Sequence, residues 1–310
     1  MTTFTIIVPV YNGQSQIRET IDSIIKYSRH QDREILVIND GSTDRTLDVL
    51  EMYKPEIKLI SQNNAGEANA VNKGLSLAKG KYTLVVSADD PLISEDLFEN
   101  ARAILDTNEE IIATYPDWQM IDSKNNIISV KRCPDYSFEE LLAEFHCIPG
   151  PGTIFRTKEA NLIGGRDGKY RFVSDYDFWL RLACKGDFAH IPEVLAQWRS
   201  HNESTSIGMR GRAMALERID VISSFLAEHP QSEDLSKQAK ACSIYNAAIL
   251  AFFDSNVPGR KWMVEALLIN RGWIRSSKFH IVIYLLTLPV SRIVFKSLSS
   301  VGLFKKKNHI

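Results

Sequence analysis

Three groups of carboxylates carry the chemistry this chain could do. Asp89 and Asp90 are adjacent, and neighbouring acids repel one another unless a cation or a proton compensates them. Hard oxygen donors favour Mg2+ or Mn2+, ions that retain water and bridge diphosphates. The same pair also fits a helix N-cap, because Pro91 suits the first position of a helix. The run Asp40-Gly41-Ser42-Thr43-Asp44 reads either as a turn and cap or as a place where Asp40 accepts a base N–H while Tyr11 stacks on the ring. The third group, Asp175 and Asp177, precedes the aromatic run Phe178-Trp179. A carboxyl desolvated near aromatic rings acquires a raised pKa suited to general-base work. The competing reading is an N-cap with an Arg181 ion pair beside it.

The elements that hold these acids follow from hydrophobic periodicity. Residues 5–10 and 35–38 are continuous aliphatic runs, the pattern of strands buried on both faces of a parallel sheet. Between them Ile17, Ile21, Ile24 and Ile25 recur at helical spacing. Residues 46–53 and 68–78 extend the series as helices, and 57–60 and 82–87 as strands. The expected fold class is α/β, an open, mainly parallel sheet flanked by helices. Ligands of such sheets bind beyond the carboxyl ends of the strands, where residues 9–13, 40–44, 63–66 and 88–90 fall. No strand is followed by G-x-G-x-x-G or G-x-x-x-x-G-K-[ST], which argues against a dinucleotide-binding Rossmann domain and a P-loop NTPase. Residues 88–207 are punctuated by Pro and Gly. From Gly208 the pattern becomes helical, with one stripe of Ile219, Ile222, Phe225 and Leu226 and a second including Ala239, Cys242, Ile249, Phe252 and Phe253.

Composition narrows the partners. The 310 residues are 44% hydrophobic and 24% charged, an ordinary globular balance, and the net charge of −1 predicts no nucleic-acid partner. That average conceals an asymmetry. No acid follows Glu265 but eight bases do, so residues 1–265 hold 29 bases against 38 acids. Cys133, Cys147, Cys184 and Cys242 show no paired spacing, which argues against a zinc site or a disulfide framework and for a reducing compartment. The first ten residues lack a basic region before their apolar run and read as a first core strand, with no signal peptide expected.

Taken in order, VPVYN, DGSTD, NAGEANAVNKG, SADD, GPGTIFR, SDYDFWLRL and WRSHNES resemble the motifs of family 2 glycosyltransferases of the GT-A fold. The resemblance covers roughly residues 3–207. It implies a nucleotide-sugar half at 1–100 and an acceptor half at 101–207, followed by a C-terminal helical region at 208–310. Pro9, Tyr11 and Asp40 would hold the base and ribose of a nucleoside-diphosphate sugar, UDP-linked in our reading, with Asn12, Asn72 and Ala88 nearby. Asp89 occupies the last position of the family's D-x-D motif and is the first choice for binding Mn2+ or Mg2+, with Asp90 supporting it or contacting the donor. His201 in the R-x-H stretch would meet the diphosphate or the metal, a plain surface loop being its other reading. Asp175 matches the general base, and Gly152, Asp177 and Trp179 would shape the acceptor side. Ser87 replaces the first Asp of D-x-D, and Val71 replaces a frequent Arg. Those two departures motivate an alternative, a degenerate protein that binds a nucleotide sugar without turnover. A pyrophosphorylase is disfavoured by the absence of a G-x-G-T-R loop.

A single displacement at the anomeric carbon inverts configuration. Gln197-Trp198-Arg199 lacks the order and spacing of the Q-x-x-R-W motif of processive members, so non-processive transfer is expected. In the tail, residues 281–288 are apolar but too few to span a bilayer, and residues 290–301 alternate as an interfacial helix does. Lys305-Lys306-Lys307 would suit anionic headgroups, although a helical hairpin packed on the enzyme explains the same pattern. The expected setting is the cytoplasmic face of the cell membrane, with a glycan or polyprenyl-linked glycolipid as acceptor.

Overall fold

The computed structural model describes residues 2–146, 149–200, 211–252 and 259–270. The chain forms two compact units, Met1–Met209 and Arg210–Ile310.

The first unit begins with β1 (Phe4–Val10), α1 (Ile17–Ser28), β2 (Arg33–Asp40), α2 (Thr46–Glu51), β3 (Lys58–Gln62), α3 (Glu67–Leu77) and β4 (Tyr82–Val85). These four strands lie in the order β3-β2-β1-β4 and are all parallel. Every residue of β1 is buried, as its unbroken aliphatic run requires of a strand covered on both faces. Ile17, Ile21 and Ile24 of α1 are fully buried against it. Each contributes about 1.5–3 kcal/mol by leaving water.

The remaining elements are α4 (Asp96–Thr107), β5 (Ile111–Ile121), β6 (Ile127–Lys131), α5 (Phe138–Glu144), β7 (Ile154–Arg156), α6 (Thr157–Leu162), α7 (Ser174–Ala183) and β8 (Asp187–Arg199). Strand β7 runs antiparallel to both β4 and β5, so β5 points the same way as β4, and β8 is parallel to β5. The carboxyl ends of β1 to β4, β5 and β8 therefore meet at one edge of the sheet. That edge receives residues from both halves of the unit. No helix begins at Pro91; residues 91–94 are irregular and α4 starts at Asp96. The N-cap explanation of Asp89 and Asp90 is thereby removed.

The second unit contains α8 (Gly211–Glu228), α9 (Glu233–Phe252) and α10 (Gly259–Ile269), with α9 packed against both others. Ile222, Phe225 and Leu226 are buried as their stripe requires, together with Val221. Ile219 is only partly buried. Ala239 and Cys242 are buried on α9. The apolar run and basic tail, residues 281–307, lie outside the described residues. No described helix is long and apolar enough to cross a membrane.

Candidate active site

The loops after β1 and β2 are sewn together by side-chain-to-backbone hydrogen bonds. The Asn12 amide donates to Ser42 Oγ at 2.9 Å, and the Thr43 amide donates to Asn12 Oδ1 at 2.8 Å. The Gly13 amide donates to Thr46 Oγ1 at 2.9 Å. Asn12 adopts a left-handed φ of 53°, which an Asn tolerates better than a bulkier residue. Its carbonyl oxygen is thus committed to holding the two loops. Asp44 accepts from the Thr46 amide at 3.0 Å and the Gln14 amide at 3.2 Å; its burial is outweighed by these hydrogen bonds, which hold its carboxyl below the usual range.

Asp40 closes β2 and is buried. Its Oδ1 accepts from Gln62 Nε2 and the Ala65 amide, and its Oδ2 from the Gly66 amide, each at 2.8 Å. Gly41 must be glycine here: its φ is +74°, and a Cβ would lie 2.7 Å from the Asn64 nitrogen. A carboxylate has about four acceptor positions, so three protein donors leave room for a further N–H. Tyr11, at the carboxyl end of β1, is 52% exposed, an aromatic face open at the sheet edge. Pro9 is instead buried inside β1 opposite Ile38, so its expected contact with a base is replaced by a place in the ladder.

The Ala88-Asp89-Asp90 turn is anchored at three points by Thr20 and Arg199. Thr20 Oγ1 donates to the Ala88 carbonyl at 2.8 Å, Arg199 Nε to the Asp89 carbonyl at 2.8 Å, and the Arg199 amide to Asp90 Oδ1 at 2.7 Å. Asp90 is buried, and that burial, with the charge of Asp89 beside it, pushes its carboxyl well above the ordinary range against the pull of the Arg199 hydrogen bond. Asp89 stays partly exposed. Among the described residues no three His, Cys, Asp or Glu side chains converge as a metal site, and His201 lies outside those residues.

Helix α7 is buried almost all round, and Asp175 is its one exposed residue. Protein nevertheless crowds the Asp175 carboxylate, and the resulting desolvation raises its pKa against the opposing charge of Arg166 and the hydrogen bond from the Tyr176 amide. A carboxylate both reachable from water and poorly solvated has the properties of a general base. Its neighbours do other work. Asp177, expected on the acceptor side, is buried and accepts from Arg181 Nη2 at 2.6 Å and Nε at 2.9 Å; desolvation raises its pKa while Arg181 opposes the rise. Trp179 is 5% exposed and packs edge-on against Phe155, Phe178 and Phe188. It is a core residue, because helical spacing turns its ring onto β7 and β8. Gly152 is likewise internal: an added Cβ would lie 2.7 Å from Ala196 and 2.9 Å from Pro116.

Asn72 was expected near the donor, and its amide is used by the chain itself. Its Nδ2 donates to the Arg166 carbonyl at 2.7 Å and its Oδ1 accepts from the Arg166 amide at 2.8 Å. Gly165, with φ +71°, lets that pairing occur, since a Cβ there would clash with Asn72 Oδ1. Arg166 Nη1 reaches Glu67, the first residue of α3, at 2.8 Å. Arg181 bonds the carbonyls of Ile163 and Gly165, both at 2.7 Å, and fixes the same loop. An open recess of about 360 Å³ is lined by residues 163–168 and Arg181. Sequence reasoning missed Arg166, Glu67 and Arg199. Arg199 stood in the quoted WRSHNES segment, two residues before His201. Its role becomes visible only when β8 ends beside β4.

A mainly parallel sheet whose ligand edge carries acids and an exposed aromatic is shared with glycosyltransferases of the GT-A fold. The chain belongs to glycosyl transferase family 2: the family's sequence profile matches residues 5–156. An uncharacterized glycosyltransferase of Haemophilus influenzae is 34% identical over 219 residues, 65% of this chain and 67% of that one. Against related glycosyltransferases of Rickettsia prowazekii and Rickettsia typhi, 29% and 28% identical, the chain spans 65% of their length. Among solved structures, Staphylococcus aureus TarS 1–349 superposes with a TM-score of 0.62 at 18% identity, covering 86% of this chain and 79% of that one. TarS 1–349 has also been solved with UDP and with UDP-GlcNAc. The mannosyltransferase PcManGT from Pyrobaculum calidifontis, in complex with GDP-Man and Mn2+, superposes with a TM-score of 0.54 at 17% identity, covering 94% of this chain and 86% of that one.

Proposed function

We propose that this protein moves one sugar per encounter from a UDP-linked donor to a hydroxyl of a glycan or polyprenyl-linked acceptor, with inversion at the anomeric carbon. The observation that carries the proposal is Asp175, a desolvated carboxylate alone on the exposed side of a buried helix in the same unit as the donor loops. It accepts the acceptor proton as the oxygen attacks, and the diphosphate departs with the bonding electrons. Tyr11 stacks on the base, and Asp40 accepts its N–H while fixing the start of α3. The complexes of TarS with UDP and UDP-GlcNAc support a uridine donor.

The donor set suits a hard divalent cation. Asp90 is buried beside a second acid, Asp89, which stays partly exposed, and two adjacent oxygen donors of this kind are the type that Mn2+ or Mg2+ would take. Asp89 would hold the ion, supported by Asp90, and the ion would neutralise charge on the leaving diphosphate. A thermal-shift panel of nucleotide sugars with and without Mn2+ tests donor and metal together. The expected result is a rise in Tm confined to uridine donors and enlarged by Mn2+. With that donor, a transfer assay should release single-sugar products; a long unreleased ladder contradicts the non-processive reading, and binding without transfer leaves only a nucleotide-sugar-binding protein.

The basic tail supports a setting on the inner face of the cell membrane, where a lipid-linked acceptor would reside. Full-length protein should sediment with vesicles containing anionic lipid, and a chain lacking residues 279–310 should remain in the supernatant. Equal sedimentation of both would exclude the tail as the attachment.

A further inference from the structure

Asp175 does not stand alone on the acceptor side. The loop after α6 carries Arg166, whose backbone is clamped at both its N–H and its C=O by the Asn72 side chain of α3, at 2.8 and 2.7 Å. Its guanidinium is largely buried and bonded at 2.8 Å to Glu67, which opens α3. Two further hydrogen bonds, from Arg181 to the Ile163 and Gly165 carbonyls, fix the loop from the side of α7, and Arg181 is itself held by Asp177. Three of these contacts act on Arg166 itself, two on its backbone and one on its guanidinium, and the Arg181 bonds fix the loop on either side of it. The Arg166 side chain is 12% exposed although its partner Glu67 is more than half exposed, so the cation is carried inward by the loop and is not held at the surface by the ion pair.

We propose that Arg166 is a positioning residue for the transfer reaction, clamped by Asn72 and Glu67 so that its positive charge is fixed beside the Asp175 carboxylate. This rests on Asp175 being the base. Burial alone drives Asp175 toward its neutral form, which cannot accept a proton. Arg166 opposes that drive, and Glu67, a second charged group bearing on Asp175 among the described residues, reinforces it. Glu67 therefore serves to hold Arg166 while dividing its influence. The arrangement gives a base that is less basic than burial alone would make it, yet more basic than an exposed Asp. Asn72 and Asp177, which the motif pattern places at the substrates, act here through the loop that carries this cation.

The pH dependence of kcat/KM separates this from a merely structural ion pair. Below the pKa of Asp175 the base is protonated and the rate falls, so the acid limb reports that group. Arg166→Gln removes the favourable charge, and the limb should move to higher pH. Glu67→Gln removes an unfavourable charge and releases Arg166 toward Asp175, so the limb should move to lower pH. Arg166→Lys keeps the charge and should return the limb most of the way to its wild-type position. A structural salt bridge would instead make the two Gln variants alike, lowering Tm and rate together with no displacement of the limb. Unmoved limbs, or limbs moved in the same direction, overturn the proposal. Asp175→Asn serves as the control on the premise: if it transfers sugar at the wild-type rate, the base assignment fails, whereas an inactive Asp175→Asn with unmoved limbs in the other variants refutes Arg166 alone.

Discussion

Asp175→Asn should lower kcat by about 10²–10⁴-fold, the usual contribution of a positioned general base, while leaving the fold intact. Asparagine keeps the size of the side chain and can still accept the Tyr176 amide hydrogen that Asp175 Oδ1 now receives at 2.8 Å. What it loses is the capacity to take a proton. Stability should change in the opposite sense from activity. Because desolvation raises the folded-state pKa of Asp175, the folded protein binds its proton more tightly than the unfolded chain does. The stability that this group confers is therefore present at low pH and is lost as pH rises from the ordinary carboxylate range through the raised value. The variant lacks this loss, so at neutral pH its Tm should equal or exceed that of the parent. Denaturation curves and initial rates on one preparation decide the matter. A variant that loses Tm and activity in parallel would assign Asp175 to the fold, and one with unimpaired kcat would remove it from the reaction.

The two halves of the site differed in how far the amino-acid sequence disclosed them. Strands β1 and β2 and helix α1 were legible because a continuous aliphatic run and an isoleucine repeat each have one physical interpretation, burial on two faces or on one. Asp40, Asp89 and Asp175 stood out as acids near a strand end or a helix start, but each also fitted a cap or a turn, and the amino-acid sequence alone did not separate the two readings. The errors arose where a residue lay in a motif and its side-chain direction depended on packing. Trp179 sits four residues from Asp175 on the same helix, but α7 is enclosed by β7 and β8, so that nearness did not mean exposure to substrate. Asn72 and Asp177 are polar and close to the site, and both are consumed by the backbone or by Arg181. The arginines escaped notice because an isolated Arg carries no local signal. Their partners are distant in sequence: Arg166 is 99 residues from Glu67, and Arg199 is 180 from Glu19.

Arg199→Ala should be the most destabilising single change in the first unit's ligand edge, by about 3–5 kcal/mol, the cost of stripping one partner from a buried charged network. Arg199 is 3% exposed and ends β8. Its guanidinium donates to the Asp89 carbonyl at 2.8 Å, to Asn125 Oδ1 at 2.6 Å, to the Asp122 carbonyl at 3.3 Å and to Glu19 Oε2 at 3.0 Å. One side chain therefore ties the turn after β4 to the β5–β6 turn and to α1. Alanine leaves the Asp89 carbonyl without that donor and removes the cation that offsets the charge of the buried Asp90. Lysine is not an adequate substitute, because a single ammonium cannot reproduce the planar fork that reaches four acceptors in different directions. Arg199→Lys should accordingly recover only part of the lost stability. The more informative consequence concerns binding. With its anchor gone, the Asp89-Asp90 turn has more conformations to lose when the donor binds, so donor affinity at a temperature where the variant is fully folded should fall as well. Calorimetric titration with the nucleotide sugar, beside urea denaturation of the same variant, separates the two effects. A variant that is destabilised yet binds donor as the parent does would confine Arg199 to the fold and detach it from the donor turn.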